Sequence, residues 1–146
     1  MNTIFQLSSL LVIPFWALMI FAPRWMWTKR ILESPWIIAG AALLYAGLVL
    51  PQIFTLAPIL ANPNLETIAP LLGTASGATI SWVHFLAFDL FVGRWAYLEG
   101  RARDMNALIT SVLLLVILMF GPLGWLTFML ARTISSRRPT HAVTVV

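Results

Sequence analysis

Four apolar runs, at residues 4–22, 36–57, 79–98 and 106–131, occupy most of the chain. A helix needs about 20 apolar residues to cross the hydrocarbon of a bilayer. That solvent offers no hydrogen bonds, so a crossing segment must satisfy its own backbone, which a helix does internally. With 60% hydrophobic and 10% charged residues among 146, too few charges remain to coat a soluble body of this size. The expected fold is all-α, an integral membrane bundle of four transmembrane helices.

The punctuation between the runs supports this. Pro14 should kink the first span and Ala22-Pro23 should end it. The basic residues of that run follow it, opposite to a secretory signal, so it is expected to be retained. Trp25, Trp27, Lys29, Arg30 and Glu33 then form the mixture found at headgroup depth. Ser34 caps the second span with Pro35 behind it, and Gly40, Ala42, Ala46 and Gly47 offer small surfaces for close helix contact. Pro58, Pro63, Pro70, Gly73 and Gly77 break the pattern, and Leu65, Ile68 and Leu72 after Asn62-Pro63 predict a short interfacial helix between the second and third spans. Glu99-Gly100 should end the third span, and Gly121-Pro122-Leu123-Gly124 should bend or briefly unwind the fourth. Residues 1–131 then make one four-helix transmembrane domain, followed by a basic, disordered tail at 132–146.

Four crossings put both termini on one side. The first and third connections hold Arg24, Lys29, Arg30, Arg94, Arg101 and Arg103, against Arg132, Arg137 and Arg138 in the tail. The positive-inside rule therefore favours both termini outside, with the tail arguing against it. The net charge of +4 is read as topology and contact with membrane lipid, with no nucleic-acid partner. The chain has no cysteine and two histidines, one of them in the tail (His141). Thiol chemistry is excluded, no metal cage is expected, and no cofactor is called for.

One stretch does not fit a merely structural span. His84, Asp89 and Arg94 follow one another at intervals of five residues inside the third run. Ionisable groups at that depth cost roughly 2.5 to 3.5 kcal/mol on insertion scales and usually have a task. At about 100° per residue they do not share a helix face, so Asp89 should meet a partner from another helix. A buried ion pair that only fixes helix register is the bland alternative.

The segment Trp82-x-His84-x-Leu86-Ala87-x-Asp89-Leu90-Phe91-x-x-Arg94, with Pro14-Phe15-x-x-Leu18-Met19-x-x-Ala22-Pro23 and Thr28-Lys29-Arg30-x-x-Glu33-Ser34, resembles the abscisic-acid-deficient membrane proteins of plants and their bacterial relatives. Leu44-Tyr45-Ala46 and the Gly-Pro-Leu-Gly interruption are similar too; the 58–77 connection is not, and no chloroplast transit peptide precedes the first span. The resemblance implies a multi-pass protein of a bacterial cell membrane or a photosynthetic membrane, acting in neoxanthin-type carotenoid synthesis on a xanthophyll or other polyene. The step from violaxanthin to neoxanthin is redox-neutral. Opening the epoxide to an allene and an alcohol requires a proton delivered to oxygen and a proton removed from the adjacent polyene carbon. On that implication Asp89 is the acid, His84 the base, and Arg94 or Lys29 steadies the oxyanion or Asp89. Trp82, Phe85, Phe88, Phe91 and Trp95 would line a groove for the polyene, with Tyr45 as a further donor.

Other readings stay open. One is a non-enzymatic subunit that holds a carotenoid or retinal, or braces a pigment or redox complex, as a homo-oligomer or with other membrane proteins. A transporter using Asp89 as an ion site is weaker, because no internal repeat is present.

Overall fold

The computed structural model describes residues 1–135, all-α among those residues. The expected helices are present but are cut into more pieces than four. The first run forms α1 (Asn2–Leu10) and α2 (Ile13–Phe21). Pro14 stands in the first turn of α2, where its missing N–H is harmless, so the kink falls just before it, at Leu11-Val12. After α3 (Met26–Glu33), a 3-10 turn leads into α4 (Ala39–Val49), and a second 3-10 turn at Pro51 leads into α5 (Ile53–Ala61). Helix continues through Pro58 rather than stopping there. The expected short helix is α6 (Leu65–Gly73), capped by the Asn64 side chain, which accepts from Thr67 N.

The long element is α7 (Ala75–Ala102), 28 residues against the 20 expected for this run. It starts early because Thr74 caps it through Gly77 N. It also runs through Glu99-Gly100. Glu99 accepts from Arg103 one turn on at 2.6 Å, and Gly100 is buried against Thr110, where its missing side chain lets two helices meet. Three stretches, Asn2–Phe21, Pro35–Ala61 and Ala75–Ala102, are long and apolar enough to cross a membrane.

The fourth run departs furthest from expectation. It makes α8 (Ala107–Phe120) and α9 (Pro122–Ser135), which form a hairpin rather than one bent rod. Along α8 the contacts with α7 run backwards, with Thr110 beside Gly100 and Gly121 beside Asp89. Along α9 they run forwards, with Phe128 against Trp95 and Arg132 3.0 Å from Glu99. Three residue choices make the reversal. Gly121 adopts φ 42°, ψ −100°, which side chains resist. Pro122 supplies a helix start without an N–H. Gly124 presses onto α8, where a Cβ would stand 2.3 Å from Ile117 N. Each arm has 14 residues, about 21 Å of helix, short of a roughly 30 Å hydrocarbon core.

The hairpin puts the last described residue at the opposite end of the bundle from Met1, whereas four full crossings would put the two at the same end. α1–α2 runs alongside α7 in the same direction (Phe5 on Trp82, Trp16 on Gly93), whereas α4–α5 runs against it (Tyr45 on His84, Gln52 on Ser76). Met1 therefore lies at the Ala75 end of α7 and Ser135 at the Ala102 end. Arg24, Lys29, Arg30, Arg101, Arg103 and Arg132 gather toward that second end, with Arg94 two turns inside it. Tyr97 and Arg101 fasten the gathering by donating to the Pro23 carbonyl at 2.9 and 3.0 Å. Helix α9 continues past the expected tail start at Arg132, and the tail from 136 on, with Arg137, Arg138 and His141, lies outside the described residues.

Candidate functional site

Helix α7 is the spine on which all the expected site residues but Tyr45 sit, and its two sides carry Asp89 and His84 into separate cavities. On the first side, α2, α7 and α8 enclose a groove of about 820 Å³. Its walls are Val12, Ile13, Trp16 and Ile20 from the first stretch, Trp82, Phe85 and Leu86 from α7, and Leu115, Leu118 and Met119 from α8. Asp89 and the hairpin tip, Gly121-Pro122, close one part of it. The Asp89 side chain is half-buried and makes no hydrogen bond or ion pair among the described residues. Its nearest constraint is steric, since a Cβ on Gly121 would stand 3.1 Å from Oδ1.

Trp16 completes this wall. Its ring lies over Gly93, where an added Cβ would stand 2.4 Å from Cη2. The residue is 3% exposed, and its Nε1 has no hydrogen-bond partner among the described residues. A buried, unpaired N–H is costly, and the residue that carries it is one of those lining the Asp89 groove. Trp82 edges the same groove, stacked on Phe5 at 5.3 Å, with Nε1 donating to Ser9 Oγ at 3.3 Å.

His84 faces the other side. Its ring lies 5.3 Å from Tyr45 and 4.7 Å from Phe88, and it lines two cavities that Asp89 does not reach. Phe85 borders both the Asp89 groove and one of these cavities, whereas Phe88 and Phe91 belong to the His84 side alone. The structure thus brings Asp89 together with Trp82 and Phe85, and His84 together with Tyr45, Phe88 and Phe91.

Arg94 meets neither group. Its Nε donates to Leu32 O and its terminal nitrogen to Glu33 O, both at 2.7 Å. Those carbonyls end α3, where helix geometry leaves acceptors unmet and the dipole favours a cation. Lys29 pairs with Glu33 at 3.5 Å on an exposed face. Trp95 packs edge-on against Phe128, and the Arg132 guanidinium lies 5.9 Å from its ring. Trp95 therefore belongs to the α7–α9 contact.

Three residues without a role assigned from the sequence matter here. Trp16 carried a signal, because a tryptophan in mid-run is not at the interface where anchoring aromatics sit. Gly93, four residues after Asp89, marks the gap that receives it. Tyr97, 0% exposed, carried none, since its partner is a backbone carbonyl distant in sequence.

No solved structure matches the chain. A curated relative, Protein ABA DEFICIENT 4, chloroplastic, from Arabidopsis thaliana, is 28% identical over 139 residues, or 91% of this chain. The chain spans 62% of the length of that relative. Residues 3–128 match the family described as ABA DEFICIENT 4-like, and the chain belongs to that family.

Proposed function

We propose that this protein is an intramembrane isomerase of an epoxy-carotenoid, acting in neoxanthin-type carotenoid synthesis, with the Asp89 groove as its site. The observation that carries the reading is an unpaired carboxyl group at the foot of an apolar, aromatic-edged groove that Trp16 also lines. The groove's volume of about 820 Å³ lies within the usual range for small-molecule sites, about 300–1,000 Å³. Family membership supports the substrate class.

One carboxyl group can manage both proton movements. Neutral Asp89 gives its proton to the epoxide oxygen as the C–O bond beside the polyene breaks. A carboxylate oxygen then takes the proton from the adjacent polyene carbon, and those electrons form the allene. The acid is regenerated, and the isomerisation needs neither oxidant nor reductant. Trp16 forms part of the apolar wall against which the polyene would lie. His84 and Arg94, expected from the sequence as base and oxyanion clamp, are left out of this step because each faces other groups.

In the membrane, the three long stretches cross, and the α8–α9 hairpin re-enters from the cationic end with its tip at Asp89. Irregular backbone at that depth is tolerated where it lines a cavity or is buried in protein. The cationic end faces inward in a cell membrane or its photosynthetic counterpart, with α6 at the opposite surface.

Expression in a host that accumulates violaxanthin tests the reading, with pigments followed by chromatography. A new allenic product is expected. Violaxanthin that co-purifies with the protein unchanged would instead favour a non-enzymatic carotenoid holder.

A further inference from the structure

The cationic end of the bundle holds two adjoining cavities, of about 330 Å³ and about 600 Å³, that share Arg24, Asp104 and Met105 in their walls. The neutral polar groups there are used by the fold. Tyr97 donates to Pro23 O, Thr110 donates to Asn106 O, and the Asn106 side chain caps α8 by accepting from Leu108 N. Arg24 and Asp104 stand in contrast. Both line both cavities, yet neither makes a hydrogen bond or an ion pair among the described residues, with the other or with any third group. Opposite charges that share a cavity without touching leave room for a ligand between them.

The backbone holds both charges in place. Arg24 follows Pro23, whose carbonyl accepts from Tyr97 and from Arg101. Asp104 stands in the turn between α7 and α8, where its own N–H donates to Arg101 O at 3.2 Å and the Met105 N–H donates to Gly100 O at 2.9 Å. Arg101 is the third charged residue of the walls, and its bond to Pro23 O engages one nitrogen of a guanidinium that carries five N–H donors. The walls thus offer two guanidinium groups and one carboxylate. The larger cavity is completed by Ile109 of α8 and by Ala131 and Ile134 of α9, which are apolar.

From this arrangement we infer a site for a phospholipid with a phosphoethanolamine head, at the membrane surface between the α2–α3 and α7–α8 turns. The phosphate lies on Arg24 and Arg101, because the guanidinium fork matches phosphate oxygens. The ammonium donates to the Asp104 carboxylate, and the acyl chains leave along Ile109, Ala131 and Ile134. The carboxylate decides the head. An anionic head without an amine brings negative charge against Asp104, and a trimethylated amine has no N–H to donate. Cations that only set topology would favour anionic lipid instead. The site stands apart from the Asp89 groove and does not rest on the reaction assigned to it.

Native mass spectrometry of the intact protein, titrated with dioleoyl lipids that differ only in the head, provides the test. Phosphatidylethanolamine should bind about tenfold more tightly than phosphatidylcholine or phosphatidylglycerol, the difference expected for a hydrogen bond between charged groups. Asp104→Asn keeps a residue that tolerates the positive φ of this turn and should erase the preference. Arg24→Gln should weaken phosphatidylethanolamine and phosphatidylcholine alike, by about tenfold. Glycerophosphoethanolamine, the same head without chains, should leave the lipid bound at equal concentration. Phosphatidylcholine or phosphatidylglycerol bound as tightly as phosphatidylethanolamine would overturn the inference. So would a preference that survives Asp104→Asn, an Arg24→Gln protein that binds like the parent, or displacement of the lipid by its soluble head. Should a variant fail to fold, the comparison of heads on the unaltered protein still decides.

Discussion

The carboxyl group of Asp89 lies against Gly121, the residue on which the α8–α9 hairpin reverses; a Cβ on Gly121 would stand 3.1 Å from Asp89 Oδ1. The turn of the hairpin therefore coincides with the one carboxyl group in the middle of that helix. Gly121 also adopts φ 42°, so Gly121→Ala meets backbone strain and a crowded carboxyl together. A loss of about 1–3 kcal/mol is expected from the backbone alone, visible as a lower midpoint in a thermal melt. Pigment turnover should fall beyond what the loss of folded protein accounts for. An alanine variant with parental stability and turnover would remove the hairpin tip from the site.

Gly93 makes room for Trp16 as Gly121 makes room for Asp89. In Gly93→Val the branched side chain would occupy space held by the indole, and overpacking of this kind costs about 1–3 kcal/mol. Tryptophan fluorescence should shift as the ring is displaced. An unchanged emission spectrum in a fully folded variant would contradict the packing described.

Arg94 holds the end of α3 by donating to Leu32 O and Glu33 O. Each of its two hydrogen bonds has a charged donor, and such bonds contribute about 1.5–3 kcal/mol. Arg94→Ala should therefore lose stability while turnover per folded molecule stays near the parental value. A stable Arg94→Ala protein without turnover would return this residue to the catalytic group.

The chain lacks cysteine, so single cysteines can report sidedness without background. Asn2→Cys is expected to react with a membrane-impermeant maleimide from one face of a vesicle, and Lys29→Cys and Ser135→Cys from the other. Positions 2 and 135 reacting from the same face would restore a fourth full crossing.

The helical class, the early helix break near Pro14, the α6 helix and the Ser34 cap were legible because each has a local cause: an apolar run, a proline or a capping side chain. The reversal at Gly121 was half legible. Gly-Pro-Leu-Gly announced an interruption, but a bend and a hairpin share that signature. What separates them is the fit of Gly124 onto Ile117, which depends on tertiary packing. Asp89 and His84 were legible as unusual, and their separate faces followed from helix periodicity. Their cavities did not, because the walls come from α2, α4 and α8, distant in sequence. Arg94 was misleading for the same reason, since backbone carbonyls that need a partner carry no residue signature.

In the proposed reaction Asp89 performs both proton transfers on a polyene held in its groove. The most direct measurement is conversion of violaxanthin by the purified protein in lipid vesicles, comparing the parent with Asp89→Asn. The amide keeps the shape but cannot cycle a proton, and removing a positioned acid–base group typically lowers the rate by about 10²–10⁴. A loss of that size, with violaxanthin still bound, is the predicted result, whereas an Asp89→Asn protein that forms product at the parental rate would contradict the account.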